Sequence, residues 1–423
     1  MKILIWDSAM KKFRTILTGI SKKSLFLRKF IRKAVYLFRL WRYKLRGAGR
    51  KIDDKLIVFS CFTGKKYADS PRALYEYMVN SDEYKDYKFV WTFVNPQNYS
   101  FLLENRNTTI VKQASRECEI AFATAKYWVC NHRAAVHRYP SKKQVFIQTW
   151  HGTPLKRLGL DIERSNNEIY TLDEQNKKYI IDAKKFTYFL SPSAFASEKF
   201  VSAFALKELG KENIIVEEGY PRNDFLLNYT DEDVARIKQH LGLPEGKKVI
   251  LYAPTWRDNQ HQVGTGYVYK TEVDFDRLQR ELGDGYVILF RAHYFISNTF
   301  NFDKYNGFIY NVSALDDINE LYIVSDLLIT DYSSVFFDYA ILRRPIVYFM
   351  YDFELYKNEM RGFYIDLKEL PGPIVQEEDA LIQQIKKLSA DFSYDEVYQK
   401  FNQKFNYLDD GNASKRVAER LIK

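Results

Sequence analysis

After Lys51 the chain alternates between short apolar runs and longer segments whose apolar positions recur at helical spacing. Leu56–Cys61, Phe89–Val94, Thr108–Lys112, Tyr127–Asn131, Val145–Thr149 and Tyr188–Ser191 read as strands. Pro71–Asn80, Ser115–Ala125, Leu172–Lys185 and Ala194–Leu206 read as the helices between them. This alternation predicts an open parallel sheet covered on both faces. A turn-rich stretch follows, from Gly219-Tyr-Pro-Arg-Asn-Asp224 through a polar helix to Gly242-Leu-Pro-Glu-Gly246. Beyond it a second set begins, with strands at Val249–Ala253, Tyr286–Phe290, Gly307–Tyr310, Leu327–Thr330 and Ile346–Phe349. Its helices include Asp274–Leu282, Ile318–Val324 and Ser334–Leu342.

Two Rossmann-like halves with a cleft between them place ligands at the carboxyl ends of both sheets. The expected division is an arm over residues 1–50, a first domain over 51–220 and a second over 221–423, the last helix being a candidate to cross back.

The arm has a pattern of its own. Leu27, Phe30, Ile31, Ala34, Phe38, Trp41 and Leu45 form one apolar helical stripe, and no acid occurs between Lys11 and Arg46. Arg28, Lys29, Arg32, Lys33, Arg39 and Arg42 fall largely on or beside the other face. Such a helix suits the interfacial layer of an anionic bilayer, with Arg28, Lys29, Phe30, Arg32, Lys33, Phe38 and Trp41 as the membrane-binding residues. The alternatives are a helix packed on its own domain and an RNA-binding arm. Its basic residues interrupt the apolar run too often for it to span a membrane, and a cleavable leader is not expected, because no uninterrupted apolar core precedes a small-residue cleavage site.

Charge sharpens the division. The chain carries +10 overall, but residues 1–50 hold +14 and the rest −4. A nucleic-acid-binding body thereby loses its main support. Three cysteines without CxxC spacing suggest neither a disulfide framework nor a zinc site, and fit a reducing cytosol. Thr63-Gly-Lys-Lys66 lacks the first Gly and the Ser/Thr of a P-loop, and Gly264-Thr-Gly266 lacks the third Gly of a dinucleotide fingerprint. Asp274-Phe-Asp276 reads as the acidic opening of a helix rather than a metal-binding pair.

Three predicted strand ends carry candidate chemistry. Gln148-Thr-Trp-His-Gly-Thr-Pro-Leu-Lys156 puts His151 on a sharp, open turn, where a ring with a pKa of about 6.5 can act as a base toward a hydroxyl. A loop histidine held for structure is the plainer reading. Phe290-Arg-Ala-His293 places Arg291 and His293 two residues apart, suited to clamping a pyrophosphate or, more plainly, exposed at a strand end. Thr330-Asp-Tyr-Ser-Ser334 joins a strand to a helix, where unpaired NH groups and hydroxyls form an anion site. Asp338 lies a turn further on, able to orient a donor or a neighbouring side chain. Ordinary capping by Asp331 or Ser333 is the alternative there. Together the three suggest a nucleotide diphosphate derivative and a transfer across the cleft.

Several segments resemble the CDP-glycerol/CDP-ribitol phosphotransferases of teichoic acid and capsule synthesis. They are His151-Gly-Thr-Pro-Leu-Lys156, Gly219-Tyr-Pro-Arg-Asn-Asp224, Tyr252-Ala-Pro-Thr-Trp-Arg-Asp258, Arg291-Ala-His293 and Thr330-Asp-Tyr-Ser-Ser-Val-Phe-Phe-Asp338. Arg361-Gly-Phe-Tyr364, Pro371-Gly-Pro-Ile374 and Asp410-Gly-Asn-Ala-Ser-Lys415 follow in the same order. The resemblance implies a GT-B-like fold and transfer of glycerol phosphate or ribitol phosphate from a CDP-polyol to a lipid-linked precursor, releasing CMP. It implies His151 and His293 as catalytic residues, His151 being the general base. Arg291, Asp331, Ser333, Ser334, Asp338, Thr255 and Arg257 are implied around the donor. No cofactor is required on this reading, stimulation by a divalent metal being left open, and the enzyme is expected peripherally on the cytoplasmic membrane face. Glycerol against ribitol, and primase against polymerase, stay open. A GT-B glycosyltransferase or sugar-nucleotide epimerase is the alternative on the same fold.

Overall fold

The computed structural model describes residues 25–163, 171–255, 261–262, 266–267, 273–292, 301–353 and 362–423. The first half is a seven-stranded parallel sheet. Its strands are β1 (Asp53–Ser60), β2 (Lys88–Phe93), β3 (Thr108–Lys112), β4 (Ala125–Cys130), β5 (Val145–Gln148), β6 (Tyr188–Ser191) and β7 (Ile215–Glu217). They lie in the order β3-β2-β1-β4-β5-β6-β7. Parallel pairing needs helical crossovers, which cover both faces. Ile57, Val58 and Phe59 of β1 are accordingly fully buried. One face packs on the Asp69–Asn80 helix through Leu74, Tyr75 and Met78. The other packs on Arg116–Thr124 and Ala194–Ala203 through Phe122, Ala196 and Phe200.

The second half begins with β8 (Lys248–Ala253) and a small antiparallel pair, β9 (His261–Gln262) and β10 (Gly266–Tyr267). It continues with β11 (Tyr286–Phe290), β12 (Ile309–Asn311), β13 (Leu327–Thr330), β14 (Ile346–Phe349) and β15 (Ile374–Val375). Its six-stranded parallel sheet runs β12-β11-β8-β13-β14-β15. Both sheets reverse their winding direction beside their first strand, between β1 and β4 and between β8 and β13. Crevices for ligands open at such points. The fold is α/β and GT-B-like.

Some boundaries differ from the sequence reading. The short edge strands β7 and β15 were not anticipated, because two or three residues carry no readable period. The helix expected over Ser334–Leu342 is Val335–Tyr339 followed by a 3-10 turn, and it stops at Arg343, whose φ is 54°. The helix expected to reach Leu206 ends at Ala203.

The halves are tied together at several points. Lys156 bridges to Phe363, and Tyr364 N donates to Leu155 O at 2.9 Å. The Ala413–Leu421 helix leaves the second half and returns to the first, where Val417, Ala418 and Leu421 join the core beneath β1. Asp224 receives that helix, accepting from the amides of Ala413 and Ser414 at 2.8 and 2.7 Å.

The N-terminal helix, Leu25–Gly47, docks on the Arg116–Thr124 helix. Tyr43 is buried there, its hydroxyl donating to Phe122 O at 3.4 Å. At Gly47 the approach is close, since a Cβ would lie 3.1 Å from that of Ala123. Phe30, Phe38, Trp41 and Leu45 are instead 55–63% exposed. The helix therefore packs on its domain, but with the face opposite the apolar stripe. No described helix is long and apolar enough to cross a membrane.

Candidate functional site

The carboxyl ends of β1, β4 and β5 meet those of β11, β12 and β13 around a cavity of about 490 Å³. His151 stands in its wall, two residues past Thr149. The turn that presents it is strained. Trp150 has a φ of 53°, in a region that residues with a side chain seldom occupy. Its amide is held by Gln148 Oε1 at 2.9 Å, and its ring stacks on that of His151 at 4.4 Å.

His151 Nδ1 lies 2.7 Å from the carbonyl oxygen of Asn131. A carbonyl only accepts, so Nδ1 carries the proton and Nε2 keeps its lone pair. Burial pushes the imidazole below its ordinary pKa, which keeps it neutral and ready to take a proton. His132 stacks 6.0 Å away, its pKa pushed down to about 4 by burial and by His151.

Two cations converge across the cleft. Arg291, just beyond β11, donates from Nη1 to Leu315 O at 3.0 Å and Val312 O at 3.3 Å. Lys66, from the loop after β1, donates to the same Leu315 O at 2.8 Å. Burial lowers the pKa of both, and burial together with Arg291 brings Lys66 to about 8. Among the described residues their side chains bond backbone carbonyls and no carboxylate. Both are half-buried, and they share the cavity wall with Asp316 and Asp317, whose carboxylates act on each of them through space. Paired cations of this kind suit an anion.

Ser334 also lines the cavity. Gly152 allows it to approach the His151 turn, because a Cβ there would sit 3.0 Å from Ser334 Oγ. Ser333 is half-buried and does not line the cavity. Asp338 reaches the cavity wall, but its carboxylate accepts from Arg222 Nη2 at 2.7 and 3.0 Å. Asp331 accepts from the amide of Thr255 at 2.8 Å and from its hydroxyl at 2.5 Å, tying the ends of β13 and β8 together. Neither Asp331 nor Thr255 is among the residues that line this cavity, and the bonds between them hold the strand ends in place. His293 and Arg257 lie outside the described residues.

Sequence reasoning did not single out Lys66, Asp69 or His132, and it quoted Arg222 only within a motif. Lys66 sat in a loop weighed solely as a failed P-loop. His132 lies two residues past the end of β4, the kind of position that also marks His151. Asp69 gave no signal beyond opening a helix.

Set beside known proteins, residues 43–423 match the model of the CDP-glycerol:poly(glycerophosphate) glycerophosphotransferases. The chain is 40% identical over 375 residues to the teichoic acid poly(glycerol phosphate) polymerase of Bacillus subtilis strain 168. That match covers 88% of this chain and 49% of the relative, so the chain spans about half its length. It is 39% identical over 380 residues to the teichoic acid glycerol-phosphate transferase of Staphylococcus aureus strain NCTC 8325, covering 88% of this chain and 94% of that protein. A solved structure of a variant of the wall teichoic acid polymerase TagF, soaked with CDPG, superposes with a TM-score of 0.82 at 38% identity, over 93% of this chain and 96% of that one. On this match across most of its length, the chain belongs to the CDP-glycerol:poly(glycerophosphate) glycerophosphotransferase family.

Proposed function

We propose that this chain transfers glycerol phosphate from CDP-glycerol to a hydroxyl of a lipid-linked teichoic acid precursor, releasing CMP. The observation that carries the reading is His151. Its Nδ1 is committed to the Asn131 carbonyl, and its ring stands in the cavity that Arg291 and Lys66 also line. In the proposed step Nε2 takes the acceptor's hydroxyl proton and the oxygen attacks the β-phosphorus. The bond from that phosphorus to the bridging oxygen breaks, its electron pair leaving with CMP. Arg291 and Lys66 face the charge that develops on the diphosphate, and Ser334 offers a hydroxyl from the donor half. Cationic and hydroxyl groups fixed in a closed cleft stabilise such charge without reorganising, which makes the step compatible with catalysis by protein groups alone.

Glycerol is favoured over ribitol by the relatives. Three relatives named for glycerol phosphate reach 38–40% identity over about 88% of the chain. The poly(ribitol-phosphate) polymerase of Bacillus spizizenii is 39% identical over 50%, and the ribitol-phosphate polymerase TarL of Staphylococcus aureus 30% identical over 66%. The glycerol-phosphate primase of Bacillus subtilis is 30% identical over 65%. The exposed stripe of Phe30, Phe38, Trp41 and Leu45 supports a peripheral place on the cytoplasmic membrane face, where a lipid-linked acceptor would be met.

Purified protein incubated with CDP-glycerol or CDP-ribitol and a lipid-disaccharide acceptor tests the reading, by CMP release and a count of units added. CDP-glycerol is the expected donor. His151→Ala is expected to slow transfer about 10²–10⁴-fold with donor affinity retained. A variant keeping more than about half the rate removes His151 from the role of base.

A further inference from the structure

Asp69 and Asp338, both buried, share the single guanidinium of Arg222. The short contacts go to Asp338, and Asp69 receives one at 3.4 Å from Nη1. The three groups together therefore carry one more negative charge than positive. Asp69 is also strained, with a φ of 63° at a buried, non-glycine position, a conformation that persists only where its surroundings impose it.

A continuous path runs from Asp69 to the cleft histidine. Asp69 Oδ2 accepts from Asn131 Nδ2 at 3.0 Å, and the carbonyl oxygen of the same Asn131 holds His151 Nδ1 at 2.7 Å. Asn131 is fixed further by Phe62, whose amide donates to Oδ1 at 2.8 Å, and by Cys61 Sγ at 3.3 Å from Nδ2.

We propose that Asp69 is the positioning and charge-balancing residue for His151. Through Asn131 it locks the imidazole with Nδ1 protonated, and its carboxylate offsets the imidazolium that exists while Nε2 holds the acceptor's proton. The proposal rests on His151 acting as the base. In that step the imidazole charge rises from zero to +1 inside a wall where Arg222 and Arg133 oppose it. Asp69 is the carboxylate that favours it. A backbone carbonyl orients the ring but carries no net charge, so orientation and charge come from two residues, joined by one asparagine.

Asp69→Asn removes the charge and keeps an oxygen for Asn131. The expected result is a fall in kcat of about 10–100-fold, the range seen when a supporting hydrogen-bond partner is lost, with the KM for CDP-glycerol unchanged. The acid limb of kcat/KM should move to lower pH, because His151 becomes harder to protonate. NMR of the labelled protein, which has six histidines, should show the His151 titration moving down by about one unit, with His151→Ala assigning its signal. In a His151→Ala background, Asp69→Asn should cost nothing more. Unchanged His151 titration, or an equal loss with and without His151, overturns the proposal. If His151→Ala keeps its rate while Asp69→Asn still moves that titration, the base assignment falls and the electrostatic pairing stands. Should Asp69→Asn not fold, Asn131→Ala carries the test. It cuts the link and should lower kcat at least about tenfold at constant KM, and a wild-type kcat overturns the proposal.

Discussion

His132 and the two serines show how differently neighbouring residues are used at this site. His132 is held at a pKa of about 4, against about 6.5 when unfolded, so the unfolded chain takes up a proton that the folded chain refuses. Acidification from about pH 6.5 to about pH 4 should therefore cost on the order of 3 kcal/mol at this position. The stability is full above pH 6.5 and lost below it. His132→Gln should flatten that part of a urea-denaturation series against pH, and an unchanged slope would place the acid sensitivity elsewhere. Ser334 lines the cavity whereas Ser333 does not, so Ser334→Ala should weaken CDP-glycerol binding by about 1 kcal/mol and Ser333→Ala by much less. Calorimetry giving equal losses would contradict this placement. His151, Arg291 and Ser334 were legible in the sequence because each follows a recognisable apolar run. Lys66, Asp69 and Arg222 were not, because they come together only through the order in which the strands pair. No period or spacing along the chain encodes that order.

At the scale of elements, the Leu25–Gly47 helix has one docked face and one exposed face, and the membrane role proposed for the second can be tested apart from the first. Its 3.6-residue stripe was readable, but the docking face was not, since Tyr43 and Gly47 signal contact only once the Arg116–Thr124 helix lies beside them. Phe38→Glu with Trp41→Glu should abolish most binding to anionic vesicles and change thermal stability little, because both rings are more than half exposed. Tyr43→Ala should do the reverse, costing about 3 kcal/mol in stability where the helix meets its domain. Vesicle co-sedimentation across a salt series, paired with calorimetric melting, separates the two effects. A stripe variant that binds vesicles normally would end the membrane role of this helix.

For the whole molecule, the decisive quantity is the distance between the halves. Gly152→Ala would set a Cβ 3.0 Å from Ser334 Oγ, tighter than ordinary packing, so the Ser334 hydroxyl must turn away from its place in the cavity or the walls must part slightly. Since small misplacements of reacting groups are costly, kcat should fall at least about tenfold while His151 itself is untouched. Steady-state kinetics with CDP-glycerol tests this, and a wild-type kcat would show that the cleft has slack. The two-sheet plan was legible because buried parallel strands read as uninterrupted apolar runs. The return of the Ala413–Leu421 helix to the first core has a further consequence, in time rather than space. On the ribosome, the sheet that begins at Asp53 waits for residues some three hundred and sixty positions later before its core closes. The second half, whose core draws on Leu226 to Phe405, can consolidate while the first still exposes the surface that Val417, Ala418 and Leu421 will cover. Although made first, the half that carries His151 is the one completed last.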